Sequence, residues 1–212
     1  MGVNQSIDKD LIETRAAALP IAASDKASVL SDIYKPEHNI VIWQREIPAE
    51  VNSQIQAMLS SQEQLAIVSI VTPDDAAKVI SNKLGDHVCS DFLAHDVALI
   101  VDMFCCLFDV REVGLRLTML DKPMCPNFHV DQVPCRLVST YLGQATQWLA
   151  SDDVERSTLA EKHDAAIRSM SAGDIALLKG GGWEGNEDNA IVHRSPEVKR
   201  HERRLLLTLD MV

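Results

Sequence analysis

Positive charge is in short supply in this sequence. Twenty Lys and Arg stand against 31 Asp and Glu, a formal net charge of −11 at neutral pH. A chain of that sign does not build the basic groove that a nucleic acid or an anionic membrane surface requires. Long apolar runs are missing as well. The longest, VALIVDMFCCLF from Val97 to Phe108, is broken by Asp102 and falls short of the roughly 20 residues that cross a bilayer. The five cysteines, at 89, 105, 106, 125 and 135, read as reduced thiols rather than a disulfide framework. The opening stretch MGVNQSIDKDLIETR carries no signal-peptide pattern, so the expectation is a cytoplasmic protein. No internal repeat or low-complexity tract occurs, and no linker separates 1–110 from 111–212. A chain of 212 residues, 46% of them hydrophobic, is expected to close around one core.

The first half reads as mixed and largely helical. Residues 1 to about 35 suggest a helical arm broken at Pro20. NIVIWQR (39–45) reads as a short strand. PAEVNSQIQAMLSS then places Val51, Ile55, Met58 and Leu59 at helical spacing behind a first-turn proline. LAIVSIV (65–71) is a β-branched run, expected to be a buried strand. TPDDAAKVISNKLG has a Thr cap, acids in the first turn and a closing Gly85, which predicts a helix. Ser90 to Phe108 predicts a longer buried one.

From residue 111 the pattern becomes short strands between turn residues: REVGLRLTML, RLVSTYLG, TQWLA, GDIALLKG and RRLLLTLDMV. TLAEKHDAAIRSM interrupts them as a possible helix. The fold class expected is α+β, with a double-stranded β-helix of jelly-roll or cupin type in 111–212 and the 1–110 flank packed outside it.

One triplet carries chemistry. His129 and Asp131 form the chain's only His-x-Asp, and residues two apart on an extended segment point the same way. His193 follows in GDIALLKGGGWEGNEDNAIVHRSP, and Arg204 lies eleven residues beyond it. Arg203 and Arg204 open the last strand facing opposite ways. Arg204 shares its face with Leu206 and Thr208, and a face with Thr beside Arg suits a polar pocket better than Arg203's row of leucines. Gly181, Gly182 and Trp183 suggest a mobile flap over the site, against the plainer reading of a solvated loop. Cys125 and Cys135 flank the triplet and are alternative soft ligands, for zinc. Trp148 and Tyr141 read as core aromatics. His38, His87, His95, His163 and His201 read as structural or solvated.

The order His-x-Asp, distant His, then Arg resembles the iron(II)/2-oxoglutarate oxygenases. There two histidines and a carboxylate hold one face of an iron ion, and a cation on the last strand grips the far carboxylate of the oxoacid. The resemblance implies metal ligation by His129, Asp131 and His193. It also implies 2-oxoglutarate binding by Arg204 with Thr208, Arg203 being the alternative, and hydroxylation of a small-molecule or protein substrate. FHVD, TYLGQATQWL, GDIALLKG, VHRSP and RRLLLTLD together are also similar to an uncharacterised bacterial family known as a domain of unknown function. That resemblance implies an association with zinc supply, and with it the alternative of a cupin-like zinc protein without redox turnover.

Overall fold

The computed structural model describes residues 21–212; of the helical arm expected over residues 1 to about 35, 1–20 lie outside the described residues, and the remainder is no loose arm but a strand of the main sheet and a 3-10 helix that buries Leu30 and Ile33 in the core. The elements run β1 (Ile21–Ser24), a 3-10 helix (Ala27–Tyr34), β2 (Ile40–Trp43), α1 (Ala49–Ser61), β3 (Ala66–Val71), α2 (Ala76–Leu84) and α3 (Ser90–Phe108). There follow β4 (Val113–Leu120), β5 (Cys135–Leu142), β6 (Gln147–Leu149), β7 (Val154–Glu155), β8 (Ala160–Glu161) and β9 (Arg168–Ser169). The chain closes with β10 (Ile175–Lys179), β11 (Val192–Arg194) and β12 (Arg204–Met211).

Seven strands form the main sheet in the order β1-β2-β10-β5-β12-β4-β3, antiparallel except for β1 beside β2. Alternation along each strand divides its residues between two cores. Leu137, Tyr141, Leu177, Leu205, Leu207 and Leu209 face α1 and α3, meeting Ile55, Leu59, Val97 and Phe104. The opposite face presents Ile40, Ile42, Val138, Ala176 and Leu178 to a second core with Trp148 and Ile191. Trp148 belongs to a smaller sheet ordered β11-β6-β9. The layers are therefore helices, a large antiparallel sheet and a small one.

Several local expectations change in three dimensions. The flank expected outside the β half supplies β1, β2 and β3 to the main sheet, because an unfinished sheet leaves edge hydrogen bonds that strands from 1–110 can take up. β3 is not a buried strand: it is the sheet's edge, with Ile67 and Val71 inward but Val68 and Ile70 more than half exposed. The possible helix over 158–170 is replaced by turns and the short strands β8 and β9, and Leu159 and Asp164 adopt positive φ, which breaks a helical path. α2 begins at Ala76 behind Asp75 rather than at a Thr72 cap; the Asp75 carboxylate accepts from the Thr72 backbone N–H at 2.8 Å. Gly85, at φ +66°, ends it, a conformation glycine adopts freely.

A charged network ties the helix layer to the sheet. Arg45 meets Asp96 of α3 through both guanidinium nitrogens at 2.5 and 2.7 Å, and its Nε donates to the Gly173 carbonyl. The hydroxyl of the fully buried Tyr141 donates to the same carboxylate at 2.6 Å. Burial, then the Asp96 charge, pushes the Tyr141 phenol well above its ordinary value, so it remains a donor. Asp96→Ala is expected to cost about 3 kcal/mol in chemical denaturation, because it leaves a buried cation unpaired. A loss below about 1 kcal/mol, the range of exposed pairs, would show that solvent compensates the network.

Candidate metal centre

The centre is assembled by backbone pairing before any side chain is considered. Residues 121–134 leave the main sheet after β4 and run past β11, where His129 forms a two-way antiparallel bridge with His193. Each backbone N–H donates to the other's carbonyl at 3.0 Å. Directly opposed residues project on one side of a ladder, and the two imidazole centroids stand 4.5 Å apart. Asp131, two residues on, joins them. His193 Nε2 is 3.4 Å from Asp131 Oδ2, and His129 Nε2 is 3.8 Å from Oδ1. One ligand atom from each of the three lies within 4.8 Å of the others.

The donor chemistry suits a divalent ion. His129 Nδ1 faces the Asn127 carbonyl at 3.0 Å and His193 Nδ1 faces the Ile191 carbonyl at 3.2 Å. Each contact calls for N–H at Nδ1, which leaves the Nε2 lone pairs turned to the shared space. Burial, with the neighbouring His193, lowers the pKa of His129, favouring the neutral ligand form. For Asp131 burial acts upward. The nearby His193 and the cationic Arg136 outweigh it and bring the carboxyl below its usual range. Asp131 Oδ2 is buried with no hydrogen-bond partner, a vacancy a cation would satisfy.

The close approach of the glycine tract positions Asp131. Gly180 N–H donates to Pro134 O at 2.9 Å and Gly181 N–H to Asp131 O at 2.7 Å. A Cβ at Gly180 would overlap the carbonyl oxygens of Val133 and Asp131, so this strand end admits no side chain. At the flap expected over Gly181, Gly182 and Trp183 the first two backbone amides run along residues 131–134, Gly182 N–H donating to Val133 O at 3.4 Å. Trp183 turns to the helix side, against Tyr34, Phe108 and the Lys179 ammonium. An indole finds apolar and cationic surface there.

The two alternative thiol ligands do not join. Cys135 is fully buried in the helix-side core, and that burial drives its thiol far up, away from the thiolate a zinc site needs. Cys125 is exposed, with its backbone joined to Ser195. Neither belongs to the ligand cluster among the described residues. A cleft of about 580 Å³ is lined by Gln56, Leu59, Leu142, Gln144, His201 and Arg203. It contains none of the three ligands, so the centre is identified by its donor geometry and not by concavity.

Arg204 is 2% exposed. One terminal nitrogen donates to Thr140 Oγ1 at 3.1 Å and Thr146 Oγ1 at 2.9 Å, and among the described residues Nε has no partner and no carboxylate pairs with the group. Desolvation lowers its pKa to about 10, so the group is still charged at neutral pH. Register ties it to the histidines. Trp148 is the ladder partner of His193, and Thr146 lies two residues before Trp148. It shares that face one diagonal step away, on the order of 7–8 Å. Thr208 shares Arg204's face of β12, between Val138 and Arg116. Arg203 points to the helix side, where it meets the Leu59 and Gln62 carbonyls closing α1. Arg136, Asp210, Thr140 and Thr146 were not singled out in the sequence. The alternation of Arg204, Thr208 and Asp210 among leucines was the one available signal of a polar inner face.

Several solved structures share the fold. The rice dioxygenase for auxin oxidation superposes with a TM-score of 0.54 at 10% identity, over 92% of this chain and 83% of that one. Dioxygenase for auxin oxidation 1 from Arabidopsis thaliana, in its 2-oxoglutarate binary complex, gives 0.51 at 8% identity over 92% of both. JOX2 in complex with 2OG, Fe and JA gives 0.51 at 8% identity over 91% and 74%. At these identities the likeness to the dioxygenases is one of fold. The chain itself belongs to the family described as protein of unknown function DUF1826, whose model matches residues 24–210. No curated protein matches it significantly in sequence.

Replacing His129 or His193 by Ala is expected to abolish stoichiometric divalent-metal binding in anaerobic titration, while Cys125→Ser leaves it intact. Equal losses in all three would return the thiol to the ligand set. Because a proton competes for His129 Nε2, and burial lowers that imidazole's pKa, affinity should persist through the ordinary imidazole range and fall only as pH drops below it.

Proposed function

We propose that this protein is an iron(II)/2-oxoglutarate-dependent oxygenase built on a double-stranded β-helix. The observation that carries the reading is the buried, unpaired Arg204 beside a two-histidine, one-carboxylate cluster. A buried guanidinium with no carboxylate partner among the described residues is costly to keep. That cost is offset when a ligand carboxylate arrives, and 2-oxoglutarate carries one at the end away from its metal-chelating group.

His129, Asp131 and His193 would hold iron(II) and leave the remaining positions open. When bound, iron supplies the dioxygen chemistry that converts 2-oxoglutarate, O2 and a C–H bond to succinate, carbon dioxide and a C–OH bond. This chain's residues do the rest. The Asn127 and Ile191 carbonyls keep both imidazoles in the ligating tautomer. Thr140 and Thr146 aim Arg204 while leaving its Nε free, and the fork suits a carboxylate's two oxygens. Trp148, Val138 and Ile191 make the surrounding space apolar, which excludes water and strengthens that pairing. The net negative charge favours a small-molecule or protein substrate over nucleic acid. The thiolate zinc reading loses its ligands, since Cys125 and Cys135 stand outside the cluster.

Anaerobic iron(II) reconstitution followed by succinate release from 2-oxoglutarate is the direct test. Tight zinc binding with no iron-dependent succinate would overturn the proposal. Arg204→Ala should weaken 2-oxoglutarate binding about thirtyfold or more, from the 2–5 kcal/mol lost when one member of a buried charge pair is removed. Metal affinity should stay nearly unchanged. Arg203→Ala should lower thermal stability instead, because it uncaps α1.

A further inference from the structure

Asp131 has two oxygens with different surroundings. Oδ1 accepts from Arg136 at 2.7 Å; Oδ2 is the buried oxygen without a partner. Arg136 is itself held. Its Nε donates to Asp210 Oδ1 at 2.7 Å and its second terminal nitrogen to Asp210 Oδ2 at 3.1 Å. Arg116 donates to that same Oδ2 at 2.8 Å. The brace follows from register. Asp210 lies directly opposite Arg136 across the β12–β5 ladder and opposite Gly114 across β12–β4. Arg116 follows two residues beyond Gly114 on the same face, and at Gly114 a Cβ would press on Val212. Two arginines and two carboxylates thus neutralise one another, with a single carboxylate oxygen left over, facing the histidines.

The geometry points to Arg136 as a positioning residue that, braced by Asp210, restricts Asp131 to one-oxygen ligation and so keeps open a coordination position for the oxoacid. The inference rests on the oxygenase reading for its consequence, though not for its geometry. A carboxylate free at both oxygens can close onto an ion in two-oxygen fashion, and that would occupy a place the substrate needs. A bidentate clamp from Arg136 to Asp210 fixes the guanidinium's plane, and with it the rotation of the Asp131 carboxylate about its Cβ–Cγ bond.

The test uses cobalt(II), whose absorption reports coordination, added anaerobically to full-length wild type, Arg136→Gln, Arg136→Lys and Asp210→Asn. Arg136→Gln is expected to bind cobalt(II) at least as tightly as wild type, with an altered ligand-field spectrum. Its affinity for 2-oxoglutarate in the cobalt-loaded state should drop about tenfold, the scale set by losing a ligand's own partner. Arg136→Lys, which keeps one cationic donor, should recover most of that loss. Asp210→Asn should shift the spectrum in the same direction by less, and it serves if Arg136→Gln does not fold. Weaker cobalt binding with an unchanged spectrum would make Arg136 a mere structural support and overturn the inference, as would no change at all. Failure of wild type to bind cobalt(II) would sink the metal centre itself. Cobalt binding without 2-oxoglutarate binding would sink only the oxygenase reading, and the spectral comparison would still decide the role of Arg136.

Discussion

Two backbone hydrogen bonds between His129 and His193 hold the functional end of this molecule together. They cross from an irregular segment to a short strand 64 residues later, and they replace a ladder with a single bridge. Neither histidine needs to search for the other, since opposed positions of an antiparallel pair project together. The carbonyls at Asn127 and Ile191 that orient the imidazoles are each two residues before a ligand. Extended backbone thus supplies both ligand and orienter from one short stretch. The glycine seam performs the same service for Asp131, since its carbonyl accepts from Gly181 N–H, and the flanking Gly180 and Gly182 lie where a Cβ would collide with residues 131–134.

Around that bridge the space between the sheets divides its polar groups unequally. At the Asp210 end of β12 the charges are matched, with Arg136 and Arg116 against Asp131 and Asp210. At the Arg204 end nothing matches the guanidinium. Buried charges usually come paired, and the two ends of this one strand face differ in how their charges are met. The leucines between and behind them form the walls. Leu205, Leu207 and Leu209 lock β12 against the helices, which fixes the direction in which Arg204 and Asp210 point.

A strand's period of two reads easily from residues, and a contact across 60 residues does not. The parity of Arg203 against Arg204 was legible, because flanking leucines and Thr208 mark the faces. The same-side placement of His129 and Asp131 was legible for the same reason. The contacts of Trp183 were not legible: its packing on Tyr34 and Phe108, and that of Gly180 and Gly182 on residues 131–134, depend on neighbours encoded far away. β3 was misread as buried because its composition is that of a central strand, while its place at the edge is a property of sheet order.

By itself the sequence determined the strand and helix periods, the acidic surface, the α+β class, and the residue types able to ligate a metal. Local sterics and the alternation of side chains write those directly into neighbouring residues. Tertiary structure alone decided that three strands of 1–110 complete the main sheet, that the cysteines stand apart from the histidines, and that Arg136 leans on Asp210 while Arg204 leans on no acid. Each of these turns on which strands become neighbours and in what register. Burial and pairing energies summed over the whole chain select that arrangement, and no short stretch contains it.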